Sequence, residues 1–225
     1  MKRLFALAIT MMLALPTPAL CDTNPADIFL SSNDVVKRHQ DLSRNSAVKV
    51  VTPMGHGSGT YIRIGRNFYI ITAKHVVEHS PIVAVQAGLE VVVGEVVYQS
   101  STQDIAIIKI PALNQKTPAR IRAASAESME IGDELVYSGY PSRYDLLTSG
   151  AQVSGREGRR VILQGFAWPG SSGSGIIDER GRVRGVLVAV GIEWVGSNPQ
   201  LLDTVVWMEP ITPETWAEIR GAVVF

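Results

Sequence analysis

Cysteine is almost absent. Cys21 is the only one among 225 residues, so no disulfide can form within one chain and a hydrophobic core has to hold the fold. A chain this long, 46% hydrophobic, can bury such a core as one large domain or as one domain of two similar halves. Surplus charge is absent too. Twenty-one basic side chains balance 21 acidic ones, with no basic stripe or acidic tail, so nucleic acid is not indicated as a partner. Internal repeats of about 20–50 residues and low-complexity segments are missing, which excludes solenoid and propeller architectures. Histidine is scarce and one-sided: His39, His56, His75 and His79 are the whole complement. No three or four ligand side chains cluster, so neither a metal nor another cofactor is expected.

The N-terminus carries the longest apolar run. Lys2 and Arg3 precede Leu4–Leu15, broken only by Thr10, and Pro16 to Cys21 follows. Positive start, apolar stretch and breaker in that order read as a secretory signal peptide over 1–21, too short to span a bilayer comfortably. Cleavage fits after Ala19 or after Cys21. The alternative, lipidation of Cys21 and hence a membrane contact, meets a bulky Leu20 where a small residue is usual. The sequence therefore predicts an exported protein, periplasmic or secreted. Residues 22–46 are polar and read as an N-terminal arm or a propeptide, with Ser32-Asn33-Asp34 capping a short helix toward Leu42.

From Ala47 the pattern becomes β. Short runs rich in Val, Ile and Tyr alternate with Gly, Pro, Ser and Asn. A first set covers Ala47–Thr52, Thr60–Ile64, Phe68–Thr72, Ile82–Gln86, Glu90–Tyr98 and Ile105–Ile110. A second covers Glu134–Ser138, Leu146–Val153, Arg160–Gln164, Ser174–Ile177, Val183–Val190 and Thr204–Met208. Pro111 to Met129 reads as the connector between two modules, about 47–115 and about 130–208. Thr212 followed by Pro213 starts a C-terminal helix over about 213–223. The fold class is thus all-β, two modules of short strands suited to barrels or sandwiches, with one terminal helix.

Three segments carry chemistry, in chain order. They are Thr72-Ala73-Lys74-His75-Val76, Asp104-Ile105-Ala106, and Gly170-Ser171-Ser172-Gly173-Ser174-Gly175. Amide cleavage needs such a set. A serine hydroxyl is a weak nucleophile at neutral pH, and a histidine has to take its proton and later deliver it to the leaving amine. A carboxylate holds the imidazole in the right tautomer. Fixed N–H groups stabilise the oxyanion, and glycines around the serine allow unusual backbone angles and close approach of substrate. Alone, Ser172 could be a loop serine, His75 a core histidine and Asp104 a strand-start cap; together and in order these readings weaken.

The three segments resemble the His, Asp and Ser signatures of the trypsin/chymotrypsin-like serine proteases. Thr-Ala-Lys-His is similar to that family's Thr-Ala-Ala-His. Asp104-Ile105-Ala106 matches its Asp-Ile-Ala. Gly170-Ser171-Ser172-Gly173 resembles its Gly-Asp-Ser-Gly, and Gly57-Ser58-Gly59-Thr60 resembles the Gly-Ser-Gly-Phe run of bacterial members. The compact spacings look most like the protease domain of the high-temperature-requirement branch, without its peptide-binding domain. The resemblance implies two six-stranded antiparallel β-barrels with a cleft between them. It also implies a His75–Asp104–Ser172 triad, an oxyanion hole from the N–H groups of Gly170 and Ser172, and a protein or peptide substrate. An esterase of the Gly-x-Ser-x-Gly type is disfavoured by motif and by catalytic order.

The departures matter. Ser171 stands where the family has Asp or Asn, and no Ile-Val-Gly-Gly start exists, so activation by insertion of a new N-terminus is not expected. Ser174 replaces a second glycine. Val188 stands where relatives often carry a Ser that supports the catalytic Asp. These changes motivate the rival reading, a catalytically silent protease-fold binding protein. By the resemblance, Phe166, Ala167 and Trp168 should line the primary pocket, with Val188, Ala189 and Val190 as its far wall. Neither segment is acidic and no histidine lies in the second module. An apolar pocket for small or medium side chains remains, and such pockets discriminate by only about 1–3 kcal/mol per methylene.

Overall fold

The structure is a computed structural model that describes residues 32–195 and 197–223. The signal peptide expected over 1–21, Cys21 included, and residues 22–31 of the expected arm lie outside the described residues. Helix α1, Ser32–Ser46, runs directly into β1, Ala47–Thr52. The helix ends where Ser46 turns its hydroxyl back onto the carbonyls of Leu42 and Ser43 (both 3.1 Å). The β-branched run from Val48 then takes over.

The first barrel continues with β2 (Gly55–Ile64), β3 (Asn67–Thr72), β4 (Ile82–Ala87), β5 (Glu90–Gln99) and β6 (Ala106–Ile110). It closes in the order β1-β2-β3-β6-β5-β4. Residue pattern follows burial. β3 is apolar from Phe68 to Ile71 and β6 from Ala106 to Ile108, where both faces are covered. Ile70 and Ile108 fill the barrel, with Val48, Val50, Tyr61 and Val85. Ile71 and Ile107 face a second core with Ile62, Tyr69, Val186 and Val188. By contrast β5 alternates, and Val91 and Val93 stay exposed on the outside.

A connector follows that holds a two-residue strand, β7 (Arg120–Ile121), and a 3-10 turn at Ala126–Ser128. The second barrel is built from β8 (Glu134–Gly139), β9 (Leu147–Glu157), β10 (Arg160–Gly165), β11 (Gly175–Ile177), β12 (Arg182–Val195) and β13 (Asn198–Pro210). Its sheet runs β11-β8-β9-β10-β13-β12, closed by pairing of β11 with β12, and β7 adds in parallel to the edge of β12. Leu135, Val153, Leu163, Ile176, Leu187 and Met208 fill it. Helix α3, Pro213–Val223, closes the chain, with the Thr212 hydroxyl capping the N–H of Thr215 at 3.2 Å. Two six-stranded barrels and a terminal helix are therefore observed.

Candidate active site

His75 sits on a one-turn helix, α2 (Lys74–Val77), immediately after β3. Asp104 sits in the loop before β6. The two meet because β3 pairs with β6, with Thr72 opposite Ala106. Asp104 holds the histidine at two points. Its Oδ1 accepts the His75 backbone N–H at 2.9 Å, and its Oδ2 lies 2.6 Å from His75 Nδ1. Burial pushes the Asp104 carboxyl up, but hydrogen bonds and charge from His75, with a backbone N–H of Lys74, outweigh it and hold the group below the ordinary aspartate value. A carboxylate ionised at neutral pH and bound to Nδ1 leaves Nε2 of the imidazole as the ring's other nitrogen, able to accept a proton.

Ser172 comes from the opposite barrel, on the loop between β10 and β11. The sequence Gly-Ser-Ser-Gly-Ser-Gly folds there as a tight, glycine-dependent turn. Gly170 and Gly173 take φ of +96° and +94°, a region disfavoured for residues with a Cβ. At Gly173 a Cβ would also lie 1.9 Å from the Ser58 carbonyl oxygen. Ser171 donates its N–H to the Trp168 carbonyl, and Ser174 donates its hydroxyl to the Ser171 carbonyl at 2.7 Å. The buried Ser171 hydroxyl accepts the Trp168 N–H at 3.3 Å, so a local contact satisfies the position where relatives have an acid. Among the described residues, the N–H groups of Gly170 and Ser172 have no acceptor. Two adjacent unused donors are what an oxyanion site requires.

The first barrel docks this loop through residues whose role the motif alone does not disclose. Ser58 donates its backbone N–H to the Ser172 carbonyl (2.7 Å) and its hydroxyl to the Gly170 carbonyl (2.7 Å), and accepts the Tyr140 N–H (2.8 Å). Thr72 donates to the Ser58 carbonyl, and Thr60 accepts the Gly175 N–H at 2.8 Å. Gly57 must lack a side chain because a Cβ would meet Val76 at 2.6 Å and the Ser172 carbonyl at 2.9 Å. His56 is half-buried, with Nε2 3.0 Å from the Tyr140 carbonyl, beside Gly170. The Gly57–Thr60 run was the signal for Gly57, Ser58 and Thr60, and the Thr72–Val76 segment for Thr72.

The structure brings His75 and Asp104 into direct contact. It brings Ser172 to the same barrel junction, but no hydrogen bond joins its hydroxyl to His75 among the described residues. In proteins without substrate such bonds are often long and tighten only when substrate binds.

Phe166, Ala167 and Trp168 border a cavity of about 10 Å³ together with Tyr137, Gly139, Leu147 and Ser149. Val188, Ala189 and Val190 do not line it. Val188 is buried in the core between the barrels, Ala189 packs at its edge, and Val190 packs on the second barrel's core. A register shift between Leu187 and Ala189 breaks the strict alternation that would have aimed them elsewhere. The Tyr137 hydroxyl donates to the Phe166 carbonyl, and burial pushes that hydroxyl's pKa up to about 12. Larger cavities, of about 800 and 420 Å³, lie under α1 and beside the Asp178–Arg182 hairpin. Neither is lined by His75, Asp104 or Ser172, so chemistry and not cavity size locates the site.

Two closed barrels with a histidine–aspartate pair and a glycine-bound serine at their junction define the class of chymotrypsin-fold peptidases. Residues 57–186 match the model of the trypsin-like peptidase domain family, more than half of the chain, and the protein belongs to that family. Among solved structures the chain is similar to Rv3671c from M. tuberculosis H37Rv, a serine-to-alanine mutant in an inactive form. The TM-score is 0.62 at 22% identity, over 91% of this chain and 94% of that one. It is also similar to the Rv3671c protease in an inactive form, with TM-score 0.65 at 21% identity over 86% and 96%. At such identity the likeness concerns the fold. No curated protein matches the chain.

Proposed function

We propose that this serine peptidase is an endopeptidase that cleaves protein or peptide substrates through an acyl-enzyme, with Ser172 as nucleophile, His75 as base and Asp104 as its orienting carboxylate. The observation that carries the reading is the double grip of Asp104 on His75. Attack by Ser172 Oγ on the scissile carbonyl passes its proton to His75 Nε2. The N–H groups of Gly170 and Ser172 receive the oxyanion. Collapse breaks the C–N bond as His75 returns the proton to the amine, and water repeats the sequence to free the acid. The side chain before the scissile bond is small or medium and apolar, since Phe166–Pro169 offer no charge to pair with a basic one. The leader at 1–21 supports export.

Cleavage of an unfolded protein by Asp22–Phe225, with cut sites mapped by mass spectrometry, tests both parts. Apolar cut sites that vanish in Ser172→Ala fit, and cuts after Lys or Arg would overturn the pocket assignment. A second reading, a silent binding scaffold, is favoured by the missing bond between Ser172 and His75. It predicts a folded protein with no turnover.

A further inference from the structure

Asp104 belongs to the first barrel by sequence, yet its loop is tied to the second barrel and the C-terminal helix as well. The loop closes on itself through the Ser100 N–H to the Ile105 carbonyl (2.9 Å) and through the Ser100 hydroxyl, which accepts the N–H groups of Thr102 and Gln103. Lys74, beside the histidine, donates to the Ser100 carbonyl at 3.1 Å. Asp104 itself is bound to His75, and the other ties come from outside the first barrel. Arg159, in the β9–β10 turn, donates to the Thr102 carbonyl at 2.8 Å.

Gln103, next to the carboxylate, is 6% exposed, and every polar atom of its side chain is engaged. Its amide nitrogen donates to the Pro210 carbonyl (2.9 Å) and to Glu209 Oε2 (3.3 Å). Its amide oxygen accepts the hydroxyl of Thr215 on α3. Glu209, 5% exposed, is held in turn by Arg160 Nε at 2.7 Å. A buried carboxylate with one amide and one guanidinium partner leaves no slack, because a lost partner strands a charge.

We propose that Gln103 is a positioning residue, which keys the Asp104 loop to β13 and α3 and so fixes the carboxylate against His75 across the barrel junction. This rests on the catalytic reading of Asp104. Gln103 touches neither substrate nor reacting atoms. It acts by holding Asp104 in register, and a displacement of about 1 Å in such a group can cost about 10²-fold in turnover.

The test uses Gln103→Glu, which replaces the donor facing Glu209 with a second carboxylate oxygen, and Thr215→Val, which removes the hydroxyl while keeping its shape. Arg220→Gln is the control. It removes the cation over the Trp216 ring on the same helix, 5.9 Å from its centroid, without touching Gln103. Expected is a fall in kcat of about 10²-fold in Gln103→Glu and about threefold to tenfold in Thr215→Val, with KM within about twofold. Adding Glu209→Gln to Gln103→Glu should restore part of kcat, because donor and acceptor are then exchanged and one carboxylate remains. Arg220→Gln should leave kcat unchanged.

A second readout needs no turnover. In Ser172→Ala the proton between His75 Nδ1 and Asp104 should give a far-downfield NMR signal that weakens when Gln103→Glu or Thr215→Val is added. Unchanged kcat and an unchanged signal in folded variants would overturn the proposal, as would an equal loss in Arg220→Gln. If Gln103→Glu does not fold, Thr215→Val decides. An inactive wild type would count against the peptidase reading, while the NMR signal would still decide the role of Gln103.

Discussion

The two barrels do different work with the same number of strands. In the first barrel the ladders are regular, with one register shift, between Val96 and Tyr98. Its apolar runs define strand ends sharply, and two catalytic candidates sit just beyond such ends. In the second barrel register shifts fall at Ile162/Leu163, Ile176/Ile177, Leu187/Ala189 and Val190/Gly191. Its contribution to the site is a loop that glycines alone can trace. One half supplies a rigid frame for an acid–base pair. The other supplies bent backbone whose N–H groups point away from the ladder. Ordinary strands use every N–H in pairing, so an oxyanion site has to come from the irregular half.

The largest effect tests whether the halves form one unit. His75→Ala in the first barrel and Ser172→Ala in the second should each lower kcat by about 10⁴–10⁶-fold, and the double variant should lose little more, since groups that act together are not additive. Steady-state kinetics on one peptide checks this; additive losses would separate the barrels' roles.

Next comes the bent loop itself. Gly173→Ala sets a Cβ 1.9 Å from the Ser58 carbonyl at a φ of +94°. It should cost more than about 3 kcal/mol in urea denaturation or displace the loop and abolish turnover. Gly155→Ala in the same barrel meets nothing closer than 3.9 Å and should stay within about 0.5 kcal/mol. Equal costs would deny the loop its special place.

Ser58→Ala attacks the joint between the halves. It leaves the Gly170 carbonyl and the Tyr140 N–H without their buried partner, at about 1–3 kcal/mol for each group. Turnover should fall more than KM rises.

A smaller effect concerns acid. Asp104 titrates below its ordinary value in the folded protein. Its stabilisation is therefore present above the unfolded aspartate value, about 3.9, and is lost as pH falls through the depressed folded value. Unfolding midpoints measured between about pH 5 and pH 2 should drop less steeply in Asp104→Asn than in the wild type. The smallest effect is Val91→Thr on the exposed face of β5, where Val91 is 62% exposed. It should change stability by less than about 0.5 kcal/mol.

The same contrast explains what was legible beforehand. β1 spans Ala47–Thr52 and α3 spans Pro213–Val223, as periodicity and the Thr212–Pro213 start signal predict. The other strands of the first barrel differ at their ends by a residue or two, apart from β2. That strand starts at Gly55 and not at Thr60, because glycine lowers strand propensity in a sequence. Here the glycines are needed for the close approach of Val76 and the Ser172 carbonyl. In the second barrel β12 and β13 extend to Val195 and back to Asn198 as a long hairpin with no apolar alternation to announce it. β7 is two residues held by tertiary pairing. Helix α1 runs past Leu42 to Ser46, and Arg44 on its last turn bonds Thr148 of β9 at 2.9 Å. The three chemical motifs were legible because their residue types are dictated by the reaction. The register shift between Leu187 and Ala189 was not, because a bulge shifts side-chain direction without leaving a mark in composition.

The most direct measurement treats folded Asp22–Phe225 with a fluorophosphonate and reads its intact mass, then maps the modified peptide. The account predicts one adduct, on Ser172, lost in His75→Ala. A folded protein that stays unmodified, or one modified at another residue, would contradict it.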